Sequence, residues 1–241
     1  MTDSGPGSGR RLGVLGGMGP LASAYFMTRL IQLTPATREE DHVPAVLWSD
    51  PRVPNRLEAQ RGSGPSPLPW LNYGIQKLAD AGCGAIAIPC NTAHGWIDGM
   101  RAASPLPILH IIDAAADDLR RQGITSGRIG VLGTQATLAM RLYQDWLERL
   151  GWSVIEPTPD EMATLVSPAI ALVKENRAGE AHALAAEAAR RLRHRGAAAV
   201  VLGCTELPIA IAAGSSDEFG NTLIDTIDAL ARASIAWARA T

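Results

Sequence analysis

Short runs rich in Val, Ile and Leu recur along the chain at 12–16, 45–49, 85–89, 107–111, 129–133, 152–155 and 198–202, ending in Gly, Pro or Asp. The runs are continuously apolar rather than alternating, which is the pattern of strands covered on both faces of a parallel sheet. Between them, segments 21–33, 71–81, 135–150 and 179–194 carry apolar residues at helical spacing. In the last of these, Leu184, Ala188 and Leu192 fall at i, i+4 and i+8, with Arg190, Arg191 and Arg193 among them. One face is apolar and the other charged, so the arginines read as a solvated helix face. Alternating strand and helix predicts α/β units around a parallel sheet.

The pattern also repeats. Leu12-Gly13-Val14-Leu15-Gly16 is followed by Ala85-Ile86-Ala87-Ile88-Pro89-Cys90-Asn91-Thr92, and Ile129-Gly130-Val131-Leu132-Gly133 by Ala199-Val200-Val201-Leu202-Gly203-Cys204-Thr205. Gly16 and Cys90 are 74 positions apart, Gly133 and Cys204 71. Near-equal spacing suggests a duplicated unit. If the halves face each other, two thiols approach one ligand from opposite sides, a geometry suited to moving a proton from one face of a carbon to the other.

Each of these cysteines follows a strand and precedes a predicted helix start, with Asn91 or Thr92 and then Thr205 as candidate N-caps. A thiol there meets the positive end of a helix dipole and nearby amide donors, which favour the thiolate. Asn91, Thr92 and Thr205 add short donors, and helix-start amides suit a carboxylate. A lone buried cysteine is commonly just a small apolar residue, which is how Cys83 in Ala81-Gly82-Cys83-Gly84 is read. His94, four residues after Cys90, opens a Cys–His metal or nucleophile pair; with no further ligands nearby, it is read as a helix residue beside the site.

One stretch breaks the rhythm. Residues 61–69, Arg-Gly-Ser-Gly-Pro-Ser-Pro-Leu-Pro, cannot continue a helix or a central strand, and they follow the loop-like Asp50-Pro51-Arg52-Val53-Pro54-Asn55-Arg56. A long loop therefore leaves the C-terminal end of the second strand, where open α/β sheets bind ligands. It is either a mobile surface connection or a lid carrying an arginine.

Composition narrows the classes. The 241 residues have a net charge of −2 and 46% hydrophobic content, enough for a real core and against a general nucleic-acid or anionic-membrane role. No apolar stretch is long enough to span a bilayer. Residues 1–11 are Gly/Ser-rich without an apolar h-region and read as a disordered leader. Three cysteines without a C-x-x-C pair disfavour a disulfide framework or a thiolate zinc site, so a cytoplasmic location with reduced thiols is expected. Gly17-Met18-Gly19-Pro20-Leu21-Ala22 matches the G-x-G-x-x-A dinucleotide fingerprint, with Asp50 where a ribose-binding acid would sit. This supports an alternative, an NAD(P)-dependent oxidoreductase, although a glycine turn also brings amides up to a smaller carboxylate. A non-catalytic amino-acid-binding module is a third reading.

Taken together, Gly16-Gly17-Met18-Gly19-Pro20, Pro54-Asn55-Arg56, Pro89-Cys90-Asn91-Thr92-Ala93-His94 and Leu202-Gly203-Cys204-Thr205-Glu206-Leu207-Pro208 resemble the cofactor-independent aspartate/glutamate racemases, nearest the aspartate branch, over residues 12–237. The resemblance implies two similar Rossmann-like three-layer α/β domains with parallel sheets, related by a pseudo-twofold axis, with the active site in the cleft between them. The expected division is 12–113 plus 222–241 for one and 114–221 for the other. It further implies Cys90 and Cys204 as the acid/base pair, no pyridoxal phosphate or metal, a small amino-acid substrate, and a homodimer. Arg56 fills the family's loop-arginine position, although Pro-Asp-Arg reads Pro54-Asn55-Arg56 here and Leu57 follows where Thr is usual. Lys174, one of two lysines beside Lys77, fits its lysine position. Gly17, Met18, Asn91, Thr92, Thr134, Thr205 and Glu206 complete the expected substrate-binding set. Racemisation of aspartate, with glutamate possible, is the expected activity.

Overall fold

A computed structural model describes residues 10–240. It contains two four-stranded, all-parallel sheets with the same strand order. The first runs β2-β1-β3-β4, with β1 Leu12–Gly16, β2 Ala45–Ser49, β3 Ala85–Ala87 and β4 Ile108–Leu109. The second runs β6-β5-β7-β8, with β5 Gly127–Gly133, β6 Trp152–Ile155, β7 Ala199–Gly203 and β8 Leu223–Asp225. The equivalent orders make β1 match β5 and β3 match β7, so the duplication legible in the sequence is a duplication of topology. The strands are continuous in apolar character because both faces are covered: β1, β3 and β7 are buried throughout.

The helices Pro20–Leu33, Ile111–Arg121 and Thr226–Arg239 link the two sheets. One core cluster passes from Leu12 and Val14 through Phe26, Ile112, Leu119 and Leu230 to Ile129, Val131 and Val201. The outer face of the first sheet carries the helix Leu68–Asp80, and that of the second carries Ala178–His194. In the latter the buried stripe is Ala181, Ala185, Ala188, Ala189 and Leu192, while Arg190 and Arg191 pair with Glu187 on the solvated side.

Several expectations are corrected. Segment 135–150 is not one helix but two, Gln135–Ala139 and Gln144–Arg149, broken where Arg141 turns to φ 51°. The break drops the ring of Tyr143 into the core. The loop after β2 is not structureless, because Arg56–Gln60 forms a short helix capped by Asn55, whose Oδ1 accepts from the Leu57 amide at 2.9 Å. Residues 222–241, grouped on sequence with the first unit, divide: β8 hydrogen-bonds to β7 in the second sheet, while the helix after it packs on Pro20–Leu33 and Ile111–Arg121. Of the expected leader, residues 1–9 lie outside the described residues. Arg10 donates to the Trp237 carbonyl and Arg11 to that of Ala81, each at 2.9 Å.

Candidate active site

In both sheets the chain leaves the first central strand toward one edge and returns to the other side, so β1/β3 and β5/β7 flank topological switch points. Crevices at the C-terminal ends of such strands are where open α/β sheets bind ligands. Met18 lies just past β1, Cys90 past β3, Thr134 past β5 and Cys204 past β7. These four positions line one cavity of about 360 Å³, a size for a small molecule. Asn91, Thr92, Thr205 and Glu206 join them from the strand ends, Arg56 from the short helix, and Lys174 from the C-terminal end of the helix Ser167–Lys174.

Gly17 is the exception among the expected binding residues. It sits behind the wall at φ 95°, where a Cβ would fall 2.4 Å from the Asp50 backbone. Its role is to turn the chain so that Met18 faces the cavity. Asp50 is committed elsewhere, with both carboxylate oxygens bonded to Arg52 at 2.8 and 2.9 Å. The cavity also takes in Asn55, Leu57, Gln135, Ser167, Ile170 and Ala171, which sequence reasoning did not place there. The signal for three of them was available: Ser167, Ile170, Ala171 and Lys174 are spaced i, i+3, i+4, i+7 on one helix face.

Hydroxyls from the two halves meet at the cavity floor. The Thr92, Thr134 and Thr137 Oγ1 atoms form a closed triangle with sides of 3.0, 2.9 and 2.9 Å. Thr134 also accepts the Thr137 amide and so caps the helix Gln135–Ala139. Asn91 and Thr205 occupy N-cap positions but their side chains do not cap. Asn91 instead accepts from the Tyr143 hydroxyl at 2.5 Å and donates to Thr226 at 3.2 Å, and Thr226 donates to the Leu202 carbonyl. This buried chain ties the residue after Cys90 to the strand that presents Cys204. Gly203 completes the joint, since a Cβ there would lie 3.0 Å from the Tyr143 ring.

His94 lies outside the cavity. Its Nδ1 donates to the Cys90 carbonyl at 3.0 Å and its Nε2 accepts the Ile111 amide at 3.3 Å, which fixes the neutral tautomer and occupies both nitrogens. Burial holds its pKa down to about 3. The ring meets His110 edge-on, His110 stacks on Trp146, and His110 is likewise held down, to about 4, by burial. His94 is therefore a strut for the Cys90 backbone and is unavailable as a metal ligand.

Cys90 and Cys204 are 5% and 4% exposed, and burial reverses the expected sign of their electrostatics. Helix-start amides do act, that of Ala93 on Cys90 and that of Glu206 on Cys204, but desolvation outweighs them and pushes both thiols up. The two are unequal. Cys90 is raised by burial against the opposing pull of Arg56, the Ala93 amide and Lys174, with Glu206 adding to the rise. Cys204 is raised well above the ordinary thiol value by burial first and then by Glu206, with Lys174 opposing. Arg56 is oriented by its own loop, its Nη1 donating to the Val53 and Pro54 carbonyls at 3.1 and 3.0 Å.

A family model described as Asp/Glu/Hydantoin racemase matches residues 15–234. The solved structure of Picrophilus torridus aspartate racemase superimposes with a TM-score of 0.84 at 32% identity, covering 95% of this chain and 94% of that one. The broad specificity amino-acid racemase RacX of Bacillus subtilis (strain 168) is 28% identical over 169 residues, 68% of this chain and 71% of its own length. A glutamate racemase of Deinococcus radiodurans is 31% identical over 165 residues, 66% of this chain and 54% of its own.

Proposed function

The chain belongs to the Asp/Glu/hydantoin racemase family and is an amino-acid racemase, and from that premise we propose that it interconverts the enantiomers of an acidic amino acid, aspartate ahead of glutamate, by proton transfer between Cys90 and Cys204. The observation that carries this reading is that two buried thiols, from matching strand ends of the two sheets, line one small cavity together with Arg56 and Lys174.

One thiolate removes the α-proton, and the opposite thiol delivers a proton to the other face of the carbanion-like intermediate. Charge developing on the α-carboxylate meets the amides at the strand ends, and the Thr92 or Thr134 hydroxyl donates to it by giving up one side of the triangle. Fixed donors in a dry cleft need little reorganisation as the charge forms. With the α-carboxylate held there, Arg56 offers a fork to a side-chain carboxylate and Lys174 a point charge. The half-buried Arg56 and the exposed Lys174 both line the cavity, so a neutral side chain there would leave their charges without a substrate partner, which disfavours alanine or leucine. No step calls for a cofactor, and activity is expected to survive dialysis against EDTA. The same reading includes a homodimer and a reducing cytoplasm, in which the three free cysteines stay reduced.

The test is a panel of L-amino acids in D₂O, with α-deuteration followed by NMR and enantiomers resolved by chiral chromatography. Aspartate should racemise, and Cys90→Ala and Cys204→Ala should each lose racemisation. Turnover of neutral amino acids with none on aspartate or glutamate would overturn the substrate. Full racemase activity in either cysteine variant would overturn the two-thiol chemistry. Tight NADH binding in a fluorescence titration would favour the oxidoreductase instead.

A further inference from the structure

The resemblance groups Glu206 with the substrate-binding residues, yet it already has a protein partner. The Cys204 thiol donates to Glu206 Oε2 at 3.0 Å, and both residues are 4% exposed. We propose that Glu206 is the positioning residue of the second thiol: it takes the S–H hydrogen bond, fixes Cys204 as the proton donor of the resting protein, and leaves Cys90 as the thiol that ionises to begin the reaction. This rests on the two-thiol reading above and adds an order to it.

The surroundings of the two sulfurs support the asymmetry. Cys204 faces Glu206, the phenol of Tyr143, the Glu206 amide and one cation, Lys174. Cys90 faces two cations, Arg56 and Lys174, and the Ala93 amide, with Glu206 a lesser influence. An ionised Cys204 would set sulfur and carboxylate charges 3.0 Å apart in a buried site with no hydrogen between them. An ionised Cys90 keeps the S–H···O bond intact and has both cations for company. Of the two singly ionised forms, the one with its charge on Cys90 is lower in energy.

The proton balance follows. The Cys90 thiolate takes the α-proton, the Cys204 S–H bond breaks as its proton passes to the opposite face of the carbon, and the protein is left as Cys90 thiol and Cys204 thiolate beside Glu206. Turnover from the other enantiomer, or proton exchange with water, restores the resting form. Two enantiomers have equal free energy, so kcat/KM must be equal in the two directions. The asymmetry falls on kcat and KM separately.

The experiment is alkylation by iodoacetamide as a function of pH, with Cys90 and Cys204 read separately by peptide mass mapping. In the wild-type protein Cys90 should become reactive at lower pH than Cys204. In Glu206→Gln the Cys204 profile should move to lower pH, with reaction on the order of tenfold faster on its rising limb, the effect of one lost neighbouring charge. The ratio of kcat values for the two enantiomers should change in that variant, where a merely structural lesion would lower both alike. Cys204 reacting at lower pH than Cys90 in the wild type would overturn the proposal, and this measurement needs no variant to fold. An unmoved Cys204 profile in Glu206→Gln would overturn it too. If Cys90→Ala and Cys204→Ala still racemise, the two-thiol reading fails on its own, while the alkylation order continues to report on Glu206.

Discussion

At the scale of single residues, environment outweighs residue type. Cys83, Cys90 and Cys204 are all buried, but Cys83 packs among Leu78, Ile86 and Gly13 in the outer core of the first sheet, away from the cavity. Cys83→Ala should therefore leave racemisation within about twofold of wild type while costing on the order of 1 kcal/mol of stability, measured by denaturant melts beside the activity assay. Because burial raises both cavity thiols and the proposed reaction needs one of them ionised, kcat/KM should climb as pH rises from 7 toward 9. A flat profile across that range would contradict the assignment. Arg56→Ala should lower kcat/KM for aspartate by about 10- to 100-fold, the worth of a hydrogen bond to a charged group, and unchanged turnover would remove Arg56 from the site. Gly17→Ala combines a positive φ with a backbone clash at Asp50. Its cost should exceed about 2 kcal/mol, a fall in Tm of at least ~4 °C.

Elements bring those residues together, and two deserve separate tests. The segment after β2 reaches the other half of the molecule, where Arg61 Nη2 donates to Gln135 Oε1 at 2.6 Å above the cavity that Arg56 and Gln135 line. This contact ties the segment that carries Arg56 to the helix start that carries Gln135. Arg61→Ala should raise KM more than it lowers kcat, and steady-state kinetics with aspartate decide it. The second is the column in which His94 and His110 stand between the Cys90 carbonyl and Trp146. Both imidazoles are held below the ordinary 6.5, to about 3 and about 4. The unfolded chain therefore binds protons that the folded chain refuses. Stability should be full above about pH 6.5, fall as pH drops through the window down to about 3–4, and level off below it. His110→Phe, which keeps a ring against Trp146, should flatten part of that slope in melts recorded from pH 7 to 4.

At the scale of the whole molecule, the two sheets share one core. Leu12 and Val14 of the first belong to the same buried cluster as Ile129 and Val131 of the second, joined through Phe26, Ile112 and Leu230. Thermal unfolding should show a single transition with equal calorimetric and van't Hoff enthalpies, and two resolved transitions would contradict the shared core. The local pattern was enough to determine much of this protein. Short apolar runs ending in Gly, Pro or Asp located β1 to β7, most plainly β1, β3 and β7, because strands buried on both faces need apolar side chains on both. The repeated spacing marked Cys90 and Cys204 as partners, because duplicated units place equivalent residues at equivalent strand ends. Only the tertiary structure decided what pairwise proximity decides. The three-residue β8 and the break at Arg141 carry too few residues for a periodicity. The cap positions of Asn91 and Thr205 were legible, but Tyr143 and Thr226 compete for the Asn91 side chain from 52 and 135 positions away. Both thiols are pushed up first by burial and, at Cys204, next by Glu206, and burial is a sum over neighbours from every part of the chain. Sequence fixes which groups a residue offers; their energies depend on what the fold sets beside them.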